Sequence, residues 1–293
     1  MVAVREPPPA LLSQYTMDGR VPLEFYYVDE AAPTNYTFAL ADLEHYLATA
    51  KHRLRSSRAI IYTPESSRGD EPPQRGGGSS TQWLARAVVE HVRDGDAVVV
   101  YGSTEPWAEA LALAAGAANT STVEFGVRNY KHPQMFAWTV DELARAVRAG
   151  DAPRFDVGIA HAAFDHDGLG RYGDPLRPDG DLLAMRTAWE ALRPGGTLLL
   201  SVPVGPDVCV WNLHRRYGER RLPRLLAGWE RVGRVGWDEA RLTAPSDHRR
   251  RYEPVLALRR GAEGTGPLTG PPEVAPEVAD GGEGGAEEEK TEL

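Results

Sequence analysis

The sequence predicts a doubly wound α/β domain with a mostly parallel sheet, and three observations predict it. Across residues 81–260, segments with apolar residues at helical spacing alternate with short apolar runs. The runs, Ala97–Tyr101 and Thr197–Val202 above all, lack the apolar–polar alternation of a half-solvated strand and read as strands covered on both faces. Turn residues stand at the junctions, as in Asp94-Gly95-Asp96, Gly102-Ser103-Thr104 and Pro194-Gly195-Gly196. Helix and strand in alternation imply parallel strands joined by crossover helices.

Taken in order, residues 1–58 mix aromatics with a helix over Phe38–Arg55, and residues 64–80, with Gly76-Gly77-Gly78, read as a mobile loop. Together residues 1–80 form an N-terminal extension, a lid or an added layer. Trp83, Leu84, Ala87, Val88, His91 and Val92 then fall on one helix, which Asp94-Gly95-Asp96 ends before the strand Ala97–Tyr101. Pro106 suits the first turn of the next helix and Gly116 its end. Val123–Phe125 is a second strand with Glu124 at its polar end. Asp141–Ala149 is helical, Phe155–Ala160 a third strand, and Asp181–Leu192 a helix stopped by Pro194-Gly195-Gly196. Thr197–Val202 follows as a strand, and Trp229–Val235 with Val255–Leu258 makes a closing pair. Residues 261–293 read as a disordered acidic tail. No internal repeat is visible.

Composition narrows the class. With 293 residues, 42% of them hydrophobic, the chain can bury a sizeable core. The formal charge of −9 belongs to the tail, where nine acids face Lys290 alone and leave residues 1–260 near −1. Nucleic acid has no electrostatic case beyond the run from Arg215 to Arg224, which reads either as a contact for an acidic or phosphorylated substrate or as a solvated helix face. The single Cys209 suits a reducing compartment, and Pro7-Pro8-Pro9 stands where a signal peptide would be apolar, so a cytoplasmic protein without a membrane span is expected. Lys290-Thr291-Glu292-Leu293 is similar to a retrieval signal, read here as chance in an acidic tail.

The string His166-Asp167-Gly168-Leu169-Gly170-Arg171-Tyr172-Gly173-Asp174-Pro175, between a strand and a helix, carries the chemistry. Three glycines and a proline shape the loop, while an imidazole, two carboxylates, a guanidinium and a phenol fill it. His166 suits a general base, with Asp165 or Asp167 orienting the ring, and Arg171 and Tyr172 suit a clamp on an anionic or sugar-like substrate. The competing reading makes Asp167 and Asp174 turn caps, pairs Arg171 with one of them and packs His166 by hydrogen bond. Past the next strand, His214 reaches the same rim. His161, His166 and His214 leave a metal site as a minor alternative, their spacing being loose for a ligand set. The tryptophans read as packing, with Trp138 a candidate to stack on a base.

"LRPGGTLLLSVP", Leu192–Pro203, resembles the helix-turn-strand of class I S-adenosylmethionine-dependent methyltransferases. "HDGLGRYGDP" and "PVGPDVCVWNLHRRYG" resemble, more narrowly, the uncharacterised domain of unknown function 268 family. The resemblance covers roughly residues 83–260 and implies a Rossmann-like sheet. It places Ala97–Gly102 as first strand and cofactor turn, Glu124 as the acid on the ribose, and Phe155-Asp156 at the start of the fourth strand. S-adenosylmethionine is the implied cofactor, with Tyr101, Gly102, Ser103, Glu124 and His161 beside it. His166, Asp167, Arg171 and Tyr172 are then the catalytic group, with Asp174 and His214 on the substrate. One departure stands out: Tyr101-Gly102-Ser103-Thr104-Glu105-Pro106 holds one glycine where active members carry GxGxG. Two functions follow. One is methyl transfer to a small, glycan-like acceptor; the other is a non-catalytic module that binds a metabolite or protein partner at the same rim.

Overall fold

A computed structural model describes residues 4–28, 30, 35–61, 79–246, 251–261 and 266–267. Helix α1 (Pro9–Tyr15) and strands β1 (Leu23–Phe25) and β2 (Tyr36–Phe38) precede the long helix α2 (Leu40–Ile61) and α3 (Ser79–His91). Then come β3 (Ala97–Tyr101), α4 (Trp107–Ala115), β4 (Asn119–Glu124), β5 (Arg128–Tyr130), β6 (Met135–Thr139), α5 (Val140–Ala149) and β7 (Phe155–His161). The chain continues through α6 (Gly180–Ala191), β8 (Leu192–Ser201), β9 (Val208–Trp211), β10 (His214–Arg216), α7 (Arg221–Leu225), β11 (Trp229–Val235) and β12 (Val255–Arg260).

Seven strands form the central sheet in the order β11-β12-β8-β7-β3-β4-β6. The five from β8 to β6 are parallel, and β12 runs antiparallel to both its neighbours. The sheet is doubly wound: from β3 the chain moves outward through β4 to β6, then returns to the other side of β3 at β7. The strand order reverses between β3 and β7, and the crevice beyond their carboxyl ends is where such sheets bind ligands.

Successive residues of β3 explain why the run is apolar throughout. Val98 and Val100 enter a core with Leu84, Val88, Leu111 and Ile159; Val99 and Tyr101 enter one with Leu143, Phe155, Met185 and Leu200. Each fully buried aliphatic side chain in these layers contributes about 1.5–3 kcal/mol. Helices α2, α3 and α4 pack together on the first face. On the second, α5 begins with a capping box in which the Thr139 hydroxyl accepts from the Glu142 amide and the Glu142 carboxylate accepts from the Thr139 amide.

Several elements differ from the sequence reading. Strand β4 begins at Asn119, four residues before the expected Val123, because polar Thr120, Ser121 and Thr122 are buried where β4 pairs between β3 and β6. Edge strand β6 and the β2–β5 pair have no counterpart in that reading. The ladder of β8 with β7 opens at Leu192, so Pro194-Gly195-Gly196 lies inside the strand's bounds beside a register shift. The expected basic helix face is found only in part: His214–Arg216 is strand β10, with all three residues buried, paired to β9 in a small sheet with β1, while the helix is the short α7, where Arg221 is buried too. A third core cluster of Tyr15, Leu169, Cys209 and Trp211 joins α1 and this sheet to the loop after β7. The loop expected over 64–80 and the tail over 261–293, with Lys290–Leu293, lie outside the described residues apart from Ser79 and Ser80, which open α3, and Gly261, Gly266 and Pro267.

Candidate functional site

A cavity of about 640 Å³ opens at the carboxyl ends of β3, β4 and β7, a volume in the range of small-molecule sites. Tyr101 and Gly102 form one wall, Glu124 a second, and Ala162–Phe164 with the following loop a third. Gly102 is the one position of its turn that must be glycine. Its φ is +67°, and a Cβ there would stand 2.5 Å from the Cβ of Ala163. The remaining glycines of a GxGxG turn are absent, and side chains hold the turn from behind instead. The Ser103 hydroxyl lies 3.0 Å from Glu109 Oε2, Thr122 donates to Glu109 Oε1 at 2.5 Å, and the Arg128 Nε donates to the Ser103 carbonyl at 3.2 Å. Arg128 also stands 3.9 Å from Glu124, whose Oε2 accepts the Phe125 amide at 2.6 Å. Burial raises the Glu124 pKa, and Arg128 opposes the rise.

Glu109 is buried and its pKa is pushed up to about 7 by burial, despite the two hydroxyl donors. A carboxyl raised in the folded state contributes stability that is complete below its unfolded value and is lost as pH rises through about 7. Glu109→Gln is therefore expected to compare better with the parent in thermal stability at pH 8 than at pH 5; a pH-independent difference would contradict the raised pKa.

The loop after β7 is fastened by its own carboxylate. Asp174 Oδ2 accepts the amides of Gly168 at 2.7 Å and Gly170 at 2.9 Å, and Oδ1 accepts that of Tyr172 at 3.2 Å. Gly168 has φ +82°, and a Cβ there would fall 2.0 Å from the Arg177 carbonyl oxygen. Beneath the loop lies Arg215, fully buried. Its guanidinium donates to the carbonyls of Asp167 at 2.6 Å, Arg177 at 3.2 Å and Pro178 at 3.3 Å, with Asp181 Oδ2 at 3.8 Å from Nε. The Tyr15 hydroxyl of α1 donates to the Gly168 carbonyl at 2.6 Å. Removing that one bond in Tyr15→Phe is expected to cost about 1 kcal/mol in chemical denaturation; no loss would mean that the hydroxyl is merely tolerated.

Of the expected site residues, Tyr101, Gly102, Glu124, His166, Asp167, Tyr172 and Asp174 line the cavity. Four do not. Ser103 points into the Glu109 network. His161 stands edge-on to Trp107 with ring centres 5.3 Å apart, and burial first, then Arg251, lowers its pKa to about 4. Arg171 stacks on Tyr172 at 4.8 Å and binds Glu30 at 2.9 Å, and His214 is buried in β10 at 6.3 Å from the His166 ring. Asp174 borders the cavity, but its oxygens serve the loop amides in place of a substrate. Trp138 packs against the core and is not in the wall, so the stacking expected of it has no support.

His166 also departs from the expected base. Its Nδ1–H donates to the Leu213 carbonyl, and its Nε2 faces Asp165 Oδ2 at 3.4 Å. Burial, then Arg171, lowers the ring's pKa to about 3, while burial pushes Asp165 up to about 7. The physical consequence is a neutral imidazole beside a carboxyl close to its protonated form, with both ring nitrogens turned to protein. Asp165, not Asp167, is the partner of His166. Asp167 instead borders the cavity, and its carboxyl makes no hydrogen bond or ion pair among the described residues. Burial and the nearby Asp174 hold its pKa well above the usual carboxylate range. Tyr172, whose ring meets His166 edge-on at 5.7 Å, has its phenol pushed up to about 12 by burial.

The sequence reading missed Glu109, Arg128, Arg215 and Tyr15 as parts of the site. Glu109 alone left a signal, a carboxylate in the first turn of an otherwise apolar helix. Among the described residues no group of three or more His, Cys, Asp or Glu could hold a metal ion, and no helix is long and apolar enough to cross a membrane.

The model of a family described as "Caenorhabditis protein of unknown function, DUF268" matches residues 95–253, more than half of the chain. A search of curated proteins finds no match. Among solved structures, one titled "a putative sam-dependent methyltransferase" from Streptococcus mutans is similar at 12% identity and TM-score 0.41, covering 61% of this chain and 48% of its own. An S-adenosylmethionine-dependent methyltransferase from Mesorhizobium loti is similar at 14% identity and TM-score 0.40, covering 62% and 99%. The [4+2]-cyclase SpnF is similar at 13% identity and TM-score 0.41, covering 81% and 99%. The chain thus spans about half the length of the Streptococcus mutans protein.

Proposed function

The chain belongs to the DUF268 family, and from that premise we propose that it binds S-adenosylmethionine in the cavity at the ends of β3, β4 and β7 and transfers the methyl group to a small-molecule acceptor. The observation that carries the reading is the pair of carboxyls in the cavity wall: Glu124 at the end of β4, and Asp167, whose carboxyl makes no hydrogen bond or ion pair among the described residues. The residues present fit the cofactor. A carboxylate at the tip of the strand beside the first turn is where this sheet type meets a ribose, and an acid-lined chamber favours a cation. The glycine at +67° keeps the turn close against Ala163.

When bound, the cofactor supplies an electrophilic methyl group on a positively charged sulfur. The chain's own residues do the rest. Tyr101 and Gly102 shape the floor and Glu124 accepts hydroxyl protons. Asp167 takes the proton from the attacking oxygen or nitrogen as its lone pair is committed to the new bond. A carboxylate with a raised pKa is a stronger base than an exposed one, which suits Asp167 for that proton. Asp165 and His166 hold the loop that presents it, and Tyr172 closes one side. Most of the rate gain on this reading comes from alignment in a dry, prearranged cavity.

Calorimetric titration of the full chain with S-adenosylmethionine and S-adenosylhomocysteine tests the cofactor. Micromolar binding, about −8 kcal/mol, is expected. Glu124→Ala is expected to weaken it by about tenfold or more, the cost of one charge-assisted hydrogen bond, and Gly102→Val to abolish it. A folded parent that binds neither ligand would overturn the reading and leave the alternative, a module that binds another metabolite or a protein partner at the same rim.

A further inference from the structure

Helices α5 and α6 run side by side down the same face of the sheet, both starting at the strand tips, and the cavity continues between them. Val140, Ala144 and Val147 of α5 face it at i, i+4 and i+7. Leu183, Ala184 and Thr187 of α6 face it from the other side. Stripes with that spacing are what two helices use to close on each other. Here they wall a groove instead, and Leu183 remains 42% exposed. From Val140 to Val147 the groove is about 10 Å long at 1.5 Å per residue. Its walls offer one hydroxyl, that of Thr187, before the outer rim, where Arg186 pairs with Glu190 and Arg148 ends α5. The polar anchors of the cavity, Glu124 and Asp167, are all at its other end.

We infer that the groove between α5 and α6 takes the apolar tail of the acceptor, whose nucleophilic hydroxyl or amine then lies at Asp167. The inference rests on the transferase reading for the identity of the reacting end, not for the groove itself. Three features single out an apolar small molecule as the occupant. The groove is continuous with the polar chamber, so one ligand spans both. Its walls carry small side chains, Ala144 and Ala184, at mid-length. Its charges lie at the two ends, Asp141 in the first turn of α5 near the strand tips and Arg148, Arg186 and Glu190 at the outer rim. Of the two residues that suggested a sugar-like acceptor, Arg171 is engaged with Glu30 and the Tyr172 ring, and Tyr172 lines the cavity.

Straight-chain primary alcohols from butanol to decanol serve as the probe, titrated into the full-length protein with and without S-adenosylhomocysteine. Affinity is expected to rise about fourfold per methylene until the groove is filled, the fold-change set by burying one CH₂. Thr187→Trp, which fills the groove well below the strand tips, is expected to end the rise at a shorter chain while S-adenosylhomocysteine binds as in the parent. Affinity that is flat with chain length in the parent would overturn the inference without recourse to any variant. So would a Thr187→Trp protein that loses S-adenosylhomocysteine in step with the alcohols, since the groove would then belong to the cofactor. A rise with chain length in a protein that binds no S-adenosylhomocysteine would sink the transferase reading and leave the apolar groove assigned.

Discussion

Asp167→Asn is expected to lower turnover by about 10²–10⁴-fold, the range for loss of a positioned general base, with S-adenosylhomocysteine affinity retained. The substitution keeps the shape of the side chain and removes only its basicity. Its carboxyl has no hydrogen bond or ion pair among the described residues to lose, so stability is expected to hold. The pH profile carries the sign. Asp167 acts when ionised, and burial with the nearby Asp174 raises its pKa; the parent's rate should therefore climb with pH through a value above the usual carboxylate range and then level. In the Asn variant that limb should vanish. Release of S-adenosylhomocysteine from S-adenosylmethionine, in the presence of an alcohol found to bind, gives the rate. His166→Gln separates this reading from a histidine base. With Nδ1 bonded to Leu213 and Nε2 against Asp165, it is expected to lower stability more than turnover. A His166 variant that is stable yet inactive, beside an active Asp167→Asn, would reverse the two roles.

Arg215→Met is the substitution expected to cost the most stability, about 3–5 kcal/mol, because it leaves a buried charge unpaired. Asp181 would keep the Tyr217 hydroxyl at 2.9 Å but lose its cation. The carbonyls of Asp167, Arg177 and Pro178 would lose their donor. Since domains are stable by only about 5–15 kcal/mol, such a loss is a large part of the whole. Urea denaturation measures it directly. A loss under about 1 kcal/mol would show that the loop is held by Asp174 and Tyr15 without the guanidinium. Cofactor affinity in Arg215→Met is expected to fall as well, since Asp167 borders the cavity and its carbonyl is held by this side chain.

The doubly wound sheet was legible because its strands are buried on both faces, so their apolar runs stand out against amphipathic helices. Strand β3 and strand β11 have the expected bounds, and α4 and α5 differ from expectation by at most a residue or two at an end. Strand β4 was half hidden, since Thr120 and Thr122 look like surface residues until their burial is known. In the loop, the glycines at 168, 170 and 173 do take positive φ, and residue type alone foretold that. What residue type could not foretell is which polar atom meets which. Asp165, Asp167 and Asp174 are chemically alike within ten residues, yet one faces a histidine, one faces the cavity and one binds backbone amides.

By itself, then, the sequence determined the sheet class, the crevice at the strand tips and the loop that closes on it. These follow from local periodicity and from backbone conformations that only glycine adopts cheaply, and both are properties of short segments. Only the tertiary structure decided that Arg215 lies buried beneath the loop rather than on a solvated helix, that His166 has no nitrogen to spare, and that α5 and α6, though in contact, leave a groove where both line the cavity. Those outcomes depend on groups tens to hundreds of residues distant, Tyr15 and Gly168 among them, and burial and pairing arise only when such segments meet.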